Sequence, residues 1–260
     1  MQDATAASLA TLMPNTGDTT TLYDSRDEQA YTVAKLADGK YWMTKNLNLA
    51  GGTALSTDDT DVTSAYINSF TTGNNLTKTG DTIVLPASST VGFDTNNYSY
   101  VYNSYSTTCG ENSPCYSYYS WDATTLGSGR AITTDNTDAG QSICPKGWKL
   151  PNSRATISGN SDYYQFAVAY GMDDSDISQA PSDFYYQAGP GTIPNFLLAG
   201  GYGSSAFSVG GKYGFYWSST AGLNLYEARS FLISMIYVGS TYTVNRSGGL
   251  PVRCLFNDTN

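Results

Sequence analysis

The chain has 260 residues, of which 13% are charged, with 13 Lys and Arg against 22 Asp and Glu for a formal charge of −9. That balance excludes a nucleic-acid partner, because phosphate binding needs clustered Lys and Arg and here the basic residues are scattered; it disfavours anionic membrane surfaces for the same reason. Histidine is absent, which removes the commonest general base, the usual zinc and copper ligand and every Ser-His or Cys-His nucleophile pair.

The length suits one large domain or two small ones. Ser, Thr, Asn, Gly and 22 tyrosines take the place of charge, a neutral polar composition that suits secreted and cell-wall proteins. No segment is long and apolar enough to cross a membrane. Met1-Gln2-Asp3-Ala4 lacks the basic and apolar regions of a signal peptide, so a trimmed signal with a supplied Met1 is expected, a cytoplasmic protein being the alternative. Residues 1–20 read as a polar segment or stalk stub, with a short helix over Ala4 to Leu12 that Pro14 and Gly17 end. The remainder, residues 21–260, reads as one domain.

Residues 31–36 alternate as a half-buried strand does. Asp38-Gly39 forms a hairpin turn and residues 40–43 return, placing Trp42 and Met43 on opposite faces with Trp42 in the core. Residues 51–142 form a Ser-, Thr- and Tyr-rich insert, with a helical turn over residues 64–70. Tyrosine runs at residues 98–102 and 116–121 read as strands or aromatic-packed loops, able to bury rings while wetting hydroxyls. Residues 143–151 are a turn-bounded block. The best helix runs from Tyr163 to Tyr170, with Gly171 as its stop. Gly-punctuated β structure follows over residues 195–220, including a strand from Lys212 to Ser218, and residues 231–236 and 250–256 are the closing strands.

Four cysteines in a secreted-looking chain suggest two disulfides, with three possible pairings. Cys109 with Cys115 and Cys144 with Cys254 is favoured, because Gly110 and Pro114 promote a turn between the first two and the second pair would tie the Trp148 segment to the last strand. Four buried free thiols in a reducing compartment is the competing reading. The acidic runs Asp58-Asp59-Thr60-Asp61, Asp135-Asn136-Thr137-Asp138 and Asp173-Asp174-Ser175-Asp176 are candidate calcium loops, but none matches an EF-hand and solvated charge is favoured; no metal or other cofactor is expected. The Asn-x-Ser/Thr sequons at Asn75, Asn97, Asn245 and Asn257 are expected by chance.

Three blocks together carry a resemblance. They are residues 24–47 (Asp24-Ser25-Arg26-Asp27, Tyr31, Val33, Trp42-Met43, Asn46-Leu47), residues 144–151 (Cys144-Pro145-Lys146-Gly147-Trp148-Lys149-Leu150-Pro151) and residues 216–254 (Tyr216-Trp217-Ser218-Ser219-Thr220, Ala228-Arg229, Val252-Arg253-Cys254). In order and spacing this resembles the Fibrobacter succinogenes major paralogous domain, found in bacterial surface and secreted proteins and related to C-type lectins and the formylglycine-generating enzyme. The resemblance implies an α+β, C-type-lectin-like fold with two small twisted antiparallel sheets, about two helices and long loops. It implies that Trp42, Trp148 and Trp217 are structural, and that Arg26, Arg229 and Arg253 hold acids or carbonyls, with Asp24 or Asp27 as partners.

Some members of this fold are diversified by retroelements between a constant Trp-Ser-Ser-Thr and a constant Arg-Cys ending. The bracketed stretch here is residues 221–249, and Leu223, Leu225, Tyr226, Leu232, Ile236, Tyr237 and Tyr242 are its candidate ligand-binding residues. Phe231, Ile233 and Met235, which alternate with them, read as core. The expectation is a bacterial cell-surface or secreted protein that binds a protein or glycan on another cell, attached to a membrane only through a missing anchor. The competing class is a structural or pilus-associated subunit, which full burial of residues 221–249 would favour. An oxidase would need a free Cys in an open pocket, and no enzymatic activity is expected.

Overall fold

The computed structural model describes residues 1–73, 75–87, 101–103, 117–154, 161–172, 183–202, 207–208 and 210–258. In chain order the elements are α1 (Ala6–Leu12), β1 (Thr19–Tyr23), β2 (Ala30–Lys35), β3 (Tyr41–Met43), β4 (Ala54–Leu55), α2 (Ser64–Ser69), β5 (Thr77–Thr79), β6 (Thr82–Val84), β7 (Val101–Asn103), β8 (Ser117–Tyr119), α3 (Trp121–Thr124) and β9 (Trp148–Lys149). Then come α4 (Asp162–Ala169), α5 (Phe184–Ala188), β10 (Gly201–Tyr202), β11 (Phe207–Ser208), β12 (Tyr213–Ala221), β13 (Glu227–Ser234), β14 (Val238–Asn245) and β15 (Leu255–Phe256). The class is α+β. The strands form five small sheets rather than two and the helices number five rather than two, all counted among the described residues.

The largest sheet has the order β1-β2-β3-β15-β9, with every neighbour antiparallel. It joins the N-terminal hairpin to the last strand and to the Trp148 block. Side chains alternate across a strand, and this sheet separates two cores. Tyr31, Val33, Tyr41, Met43 and Phe256 face one cluster, while Ala34, Leu36, Trp42 and Leu255 face the other. Trp42 and Met43 therefore do lie on opposite faces, and both are fully buried. Across the second core, Trp42 meets Phe166 of α4 at 5.4 Å, and Tyr163 stacks on Phe231 of β13 at 4.8 Å. Gly171 closes α4 with φ +92°, a conformation glycine adopts without steric cost.

The first core absorbs much of the insert. Leu55, Val62, Ile67, Leu76, Ile83 and Leu85 pack in the same cluster as Cys144 and Cys254. The segment expected as a stub also contributes, since Leu9 and Met13 are fully buried and α1 is closed by a Thr5–Ser8 capping box. Trp121, read as part of a strand or loop, instead opens α3, because the Ser120 hydroxyl accepts from the Ala123 N–H and caps a helical turn. Two boundaries are corrected. β13 starts at Glu227 and ends at Ser234, so residues 235–236 are a turn and not strand; and of the closing segment 250–256 only residues 255–256 pair as a strand.

Cys144 and Cys254 form a disulfide across 110 residues of sequence, with Cα atoms 5.8 Å apart. Cys109 and Cys115 lie outside the described residues. Cross-linking a loop of that length restricts the unfolded chain. Replacing both Cys144 and Cys254 by Ala is expected to lower unfolding free energy by about 2–5 kcal/mol, read as a shift in the midpoint of urea denaturation. Gly129 is closely packed, because a Cβ there would stand 2.3 Å from the Trp121 ring. Gly129→Ala is therefore expected to cost about 1–3 kcal/mol by overpacking, in the same denaturation assay.

Candidate functional site

The Trp-Ser-Ser-Thr motif is a departure from sheet pairing. β12 pairs with β13 from Tyr213 to Trp217 and again at Ala221, with a register shift between. In that interval the backbone turns to other partners: Trp217 N–H donates to Pro251 O, Ser219 N–H to Pro151 O, and Ser219 O accepts from Ala139 N–H. The side chains complete the joint. Trp217 Nε1 donates to Tyr119 O, Ser218 Oγ to Arg229 O, and Thr220 Oγ1 to Asp138 at 2.5 Å.

Beyond this joint, residues 221–249 make two hairpin turns at opposite ends of β13. With eight residues in that strand, at about 3.3 Å per residue the turns lie roughly 25 Å apart. The first turn carries Leu223 (68% exposed), Leu225 and Tyr226, all exposed. The second carries Met235 and Ile236 (81% exposed), with Tyr237 half-buried beside them. Tyr242 sits midway along β14, half-exposed, with its ring 5.4 Å from Phe215 of β12. Leu232 is buried at 4% exposure, paired with Phe215 and Gly239. Six of the seven candidate residues thus form two separate tips and a sheet-face position rather than one patch, and the seventh, Leu232, is a buried strand residue and not a surface contact. Phe231 and Ile233 are core residues as read, but Met235 is exposed.

The tips are held by polar residues that the sequence reading passed over. At the first, Gly222 N–H donates to Glu227 O and Glu227 N–H to Asn224 O. The Asn224 carboxamide oxygen accepts from Tyr226 N–H, an Asx-turn arrangement. At the second, Ser234 Oγ donates to Tyr237 O and accepts from Ile236 N–H. Two-residue hairpin loops favour Gly, Asn or Asp, yet here Met-Ile occupies the turn.

Below the first tip lies Arg246. Its guanidinium stacks on Trp121 at 4.4 Å and donates to the carbonyls of Glu227, Gly129, Ile132 and Asn224. Burial lowers its pKa below the usual arginine value, and it stays a cation. Arg26, Arg229 and Arg253, the three arginines that the resemblance singles out, hold acids or carbonyls. Arg26 forks onto Asp24, both buried, and donates to Ile143 O; Asp27 instead accepts from the Tyr31 hydroxyl. Arg229 forks onto Asp135 and donates to Thr241 O. Arg253, fully buried, donates to Met43 O, Pro194 O, Asn195 O and the Asn46 carboxamide, and lies 4.9 Å over the Phe196 ring.

A cleft of about 250 Å³ opens beside the Trp-Ser-Ser-Thr joint, with Asp138, Gln141, Lys149, Asn152 and Asp162 among its walls. Its carboxylates are engaged: Asp138 with Arg154 and Thr220, Asp162 with Lys40 and Lys149. The run from Asp135 to Asp138 is therefore occupied by Arg229 and Arg154. Asp59 accepts from Ser56 and Asp61 from Gly147 N–H, and residues 173–176 lie outside the described residues. Among the described residues no cluster of three or more Cys, Asp or Glu side chains is arranged to hold a metal, and no helix is long and apolar enough to cross a membrane. Compared with known proteins, the chain matches no family model, no curated protein and no solved structure.

The carboxylates set the response to acid. Burial opposes ionisation of Asp24, but the Arg26 hydrogen bonds and charge outweigh it and hold the pKa below the ordinary 3.8; at Asp162 burial is likewise outweighed by Lys149 and Lys40. Their stabilisation is complete above the unfolded value of 3.8 and is lost as pH falls through the lower folded values. Asp27 and Asp38 are pushed up by burial, so their ionisation costs stability that falling pH restores. Urea midpoints are expected to fall below pH 3.8, and Asp24→Asn to flatten that acid limb while lowering stability at neutral pH.

Proposed function

We propose that this chain is a C-type-lectin-like domain of the Fibrobacter major paralogous type, displayed on a bacterial surface or secreted, that binds a protein partner through the hairpin tips of residues 221–249. One observation carries the reading: aliphatic and aromatic side chains stand exposed at both tips, at the second of them in a two-residue turn that turn chemistry alone would give to Gly, Asn or Asp. Four of them, Leu223, Leu225, Met235 and Ile236, are aliphatic, which suits an apolar protein pocket better than a glycan. Tyr226 and Tyr242 add contact area at low entropic cost, with a hydroxyl for hydrogen bonding.

The domain binds rather than catalyses. The chain has no histidine, and Cys254 is buried in its bond to Cys144, so that thiol offers no nucleophile or copper ligand in an open pocket. The bracketing of the tips by Trp217-Ser218-Ser219-Thr220 and Arg253-Cys254 further supports a retroelement-diversified site. Sequencing the 3′ end of the gene with its flanking DNA across many cells tests this. Substitutions confined to codons 221–249, concentrated at 223, 225, 226, 235 and 236, beside a reverse transcriptase and a near-identical template, are the expected result. An invariant 3′ end without such a cassette would remove the diversified site and return the chain to the structural-subunit class.

A further inference from the structure

We propose that β1 is a self-association edge: two copies of this chain pair their β1 strands antiparallel about a twofold axis at Thr20, doubling the main sheet from five strands to ten. The inference goes beyond the binding reading above and uses no residue of the segment 221–249.

β1 ends the sheet, and its pairing with β2 runs from Thr19 to Tyr23 without a register shift. Antiparallel pairs alternate between those that exchange hydrogen bonds and those that do not. Asp24 N–H donates to Gln29 O and Lys35 N–H to Asp18 O, so the positions bonded toward β2 are 18, 20, 22 and 24. The N–H and C=O groups of Thr19, Thr21 and Tyr23 therefore point away from β2, and among the described residues no strand pairs with them. Met1 N donates to Tyr23 O, which leaves Thr19 to Thr21 as the open part of the edge. Sheet edges are commonly blunted by charge, proline, bulges or brevity. The opposite end of this sheet is blunted: β9 has two residues, one of them Lys149, and lies between Pro145 and Pro151. β1 is Thr-Thr-Thr-Leu-Tyr, with no charge, no proline and no bulge, and Thr19, Thr21 and Tyr23 are exposed.

A second copy fits this edge because the edge is complementary to itself. With the axis at Thr20, Thr19 of each copy faces Thr21 of the other, and each outward N–H of these residues meets an outward C=O. A register displaced by one residue would set outward groups against groups already bonded to β2. An axis at Thr21 would set Thr19 against Tyr23, whose carbonyl Met1 already holds. Threonine pairs across neighbouring strands are favourable. The axis at Thr20 also sets Tyr23 opposite Gly17 of the second copy. Ile193 stands against that glycine, its Cδ1 3.5 Å from where a Cβ would lie. Tyr23 is 66% exposed and Ile193 46%, and in the pair each Tyr23 covers the Ile193 of the other copy. The acids flanking the edge are engaged within their own copy: Asp18 accepts from Asn15 N–H, and Asp24 is buried against Arg26.

Sedimentation velocity on the full chain tests this, over about 1 to about 500 μM because so short an edge gives a contact of the weak class. The mean mass is expected to rise with concentration from one chain toward two. Thr21→Lys sets like charges about 8 Å apart across the axis. It is expected to weaken association by about tenfold or more and to leave the urea midpoint of the single chain unchanged. Thr20→Cys is expected to cross-link two copies under mild oxidation, since opposed residues of a non-bonded pair lie about 4.5 Å apart. Thr21→Cys, although more exposed, is expected to cross-link far less, because its twin is a diagonal neighbour. A chain that stays monomeric over the whole range overturns the proposal. So does association that survives Thr21→Lys, because another face, such as the hairpin tips, then joins the copies. Cross-linking of Thr21→Cys equal to that of Thr20→Cys overturns the register, and with it the proposal. No readout here involves a ligand or the variation of the gene, so this proposal and the binding reading fail separately.

Discussion

Buried backbone that does not run in a helix or sheet must still satisfy its carbonyls, and in this protein arginine supplies many of the donors. Each of the six arginines in the sequence is engaged inside the fold. Arg26 reaches Ile143, Arg130 reaches Gly73, Arg154 reaches Asn136 and Arg229 reaches Thr241. Arg246 and Arg253 each hold three or more carbonyls of distant loops. Where an acid is present, as at Asp24, Asp122, Asp135 and Asp138, it balances the charge and orients the fork. Where carbonyls do most of the work, an aromatic face lies beneath: Trp121 under Arg246, Phe196 and Tyr216 by Arg253.

The same need explains why the strands are short. β3, β9 and β15 contribute only two or three residues each, and the segments leading away from them are fastened sideways. The Trp-Ser-Ser-Thr joint is the clearest case. It releases β12 from β13 for a few residues so that one strand can bind the end of the insert, the Pro151 segment and the Pro251 segment in turn. Two cores, one main sheet between them and a long insert become one body through that joint and the Cys144–Cys254 link.

What was legible in the sequence was whatever one residue's chemistry decides locally. Trp42 reads as core from its place in the hairpin, and Trp148 and Trp217 as structural from the resemblance; all three are fully or almost fully buried. The Asp38-Gly39 turn, the helix before Gly171 and the pairing of Cys144 with Cys254 also followed from residue type and position. The strand boundaries after Ala221 did not, because Phe231 to Ile236 is apolar except for Ser234, a residue that strands carry as readily as turns. Nothing local in it says that Phe231 and Ile233 enter the core while Met235 and Ile236 round a turn. Arg246 was hidden for another reason: its partners at Gly129 and Ile132 are 117 and 114 residues away, and no periodicity reports a contact of that range. The acidic run at 135–138 read as solvated charge, but its aspartates answer arginines at 229 and 154.

Turning every arginine to an internal task also has a consequence at the surface. A protease that cuts after arginine needs that side chain extended into its specificity pocket with the flanking backbone free. Here four of the six guanidinium side chains are almost wholly enclosed, and the other two are tied to aspartates. Lys45, Lys146 and Lys212 are exposed. To enzymes that cleave at basic residues, these three lysines are open, whereas attack at Arg26, Arg229, Arg246 or Arg253 must wait for local opening. The groups that hold the loops in shape thereby conceal four of the six arginine cleavage points.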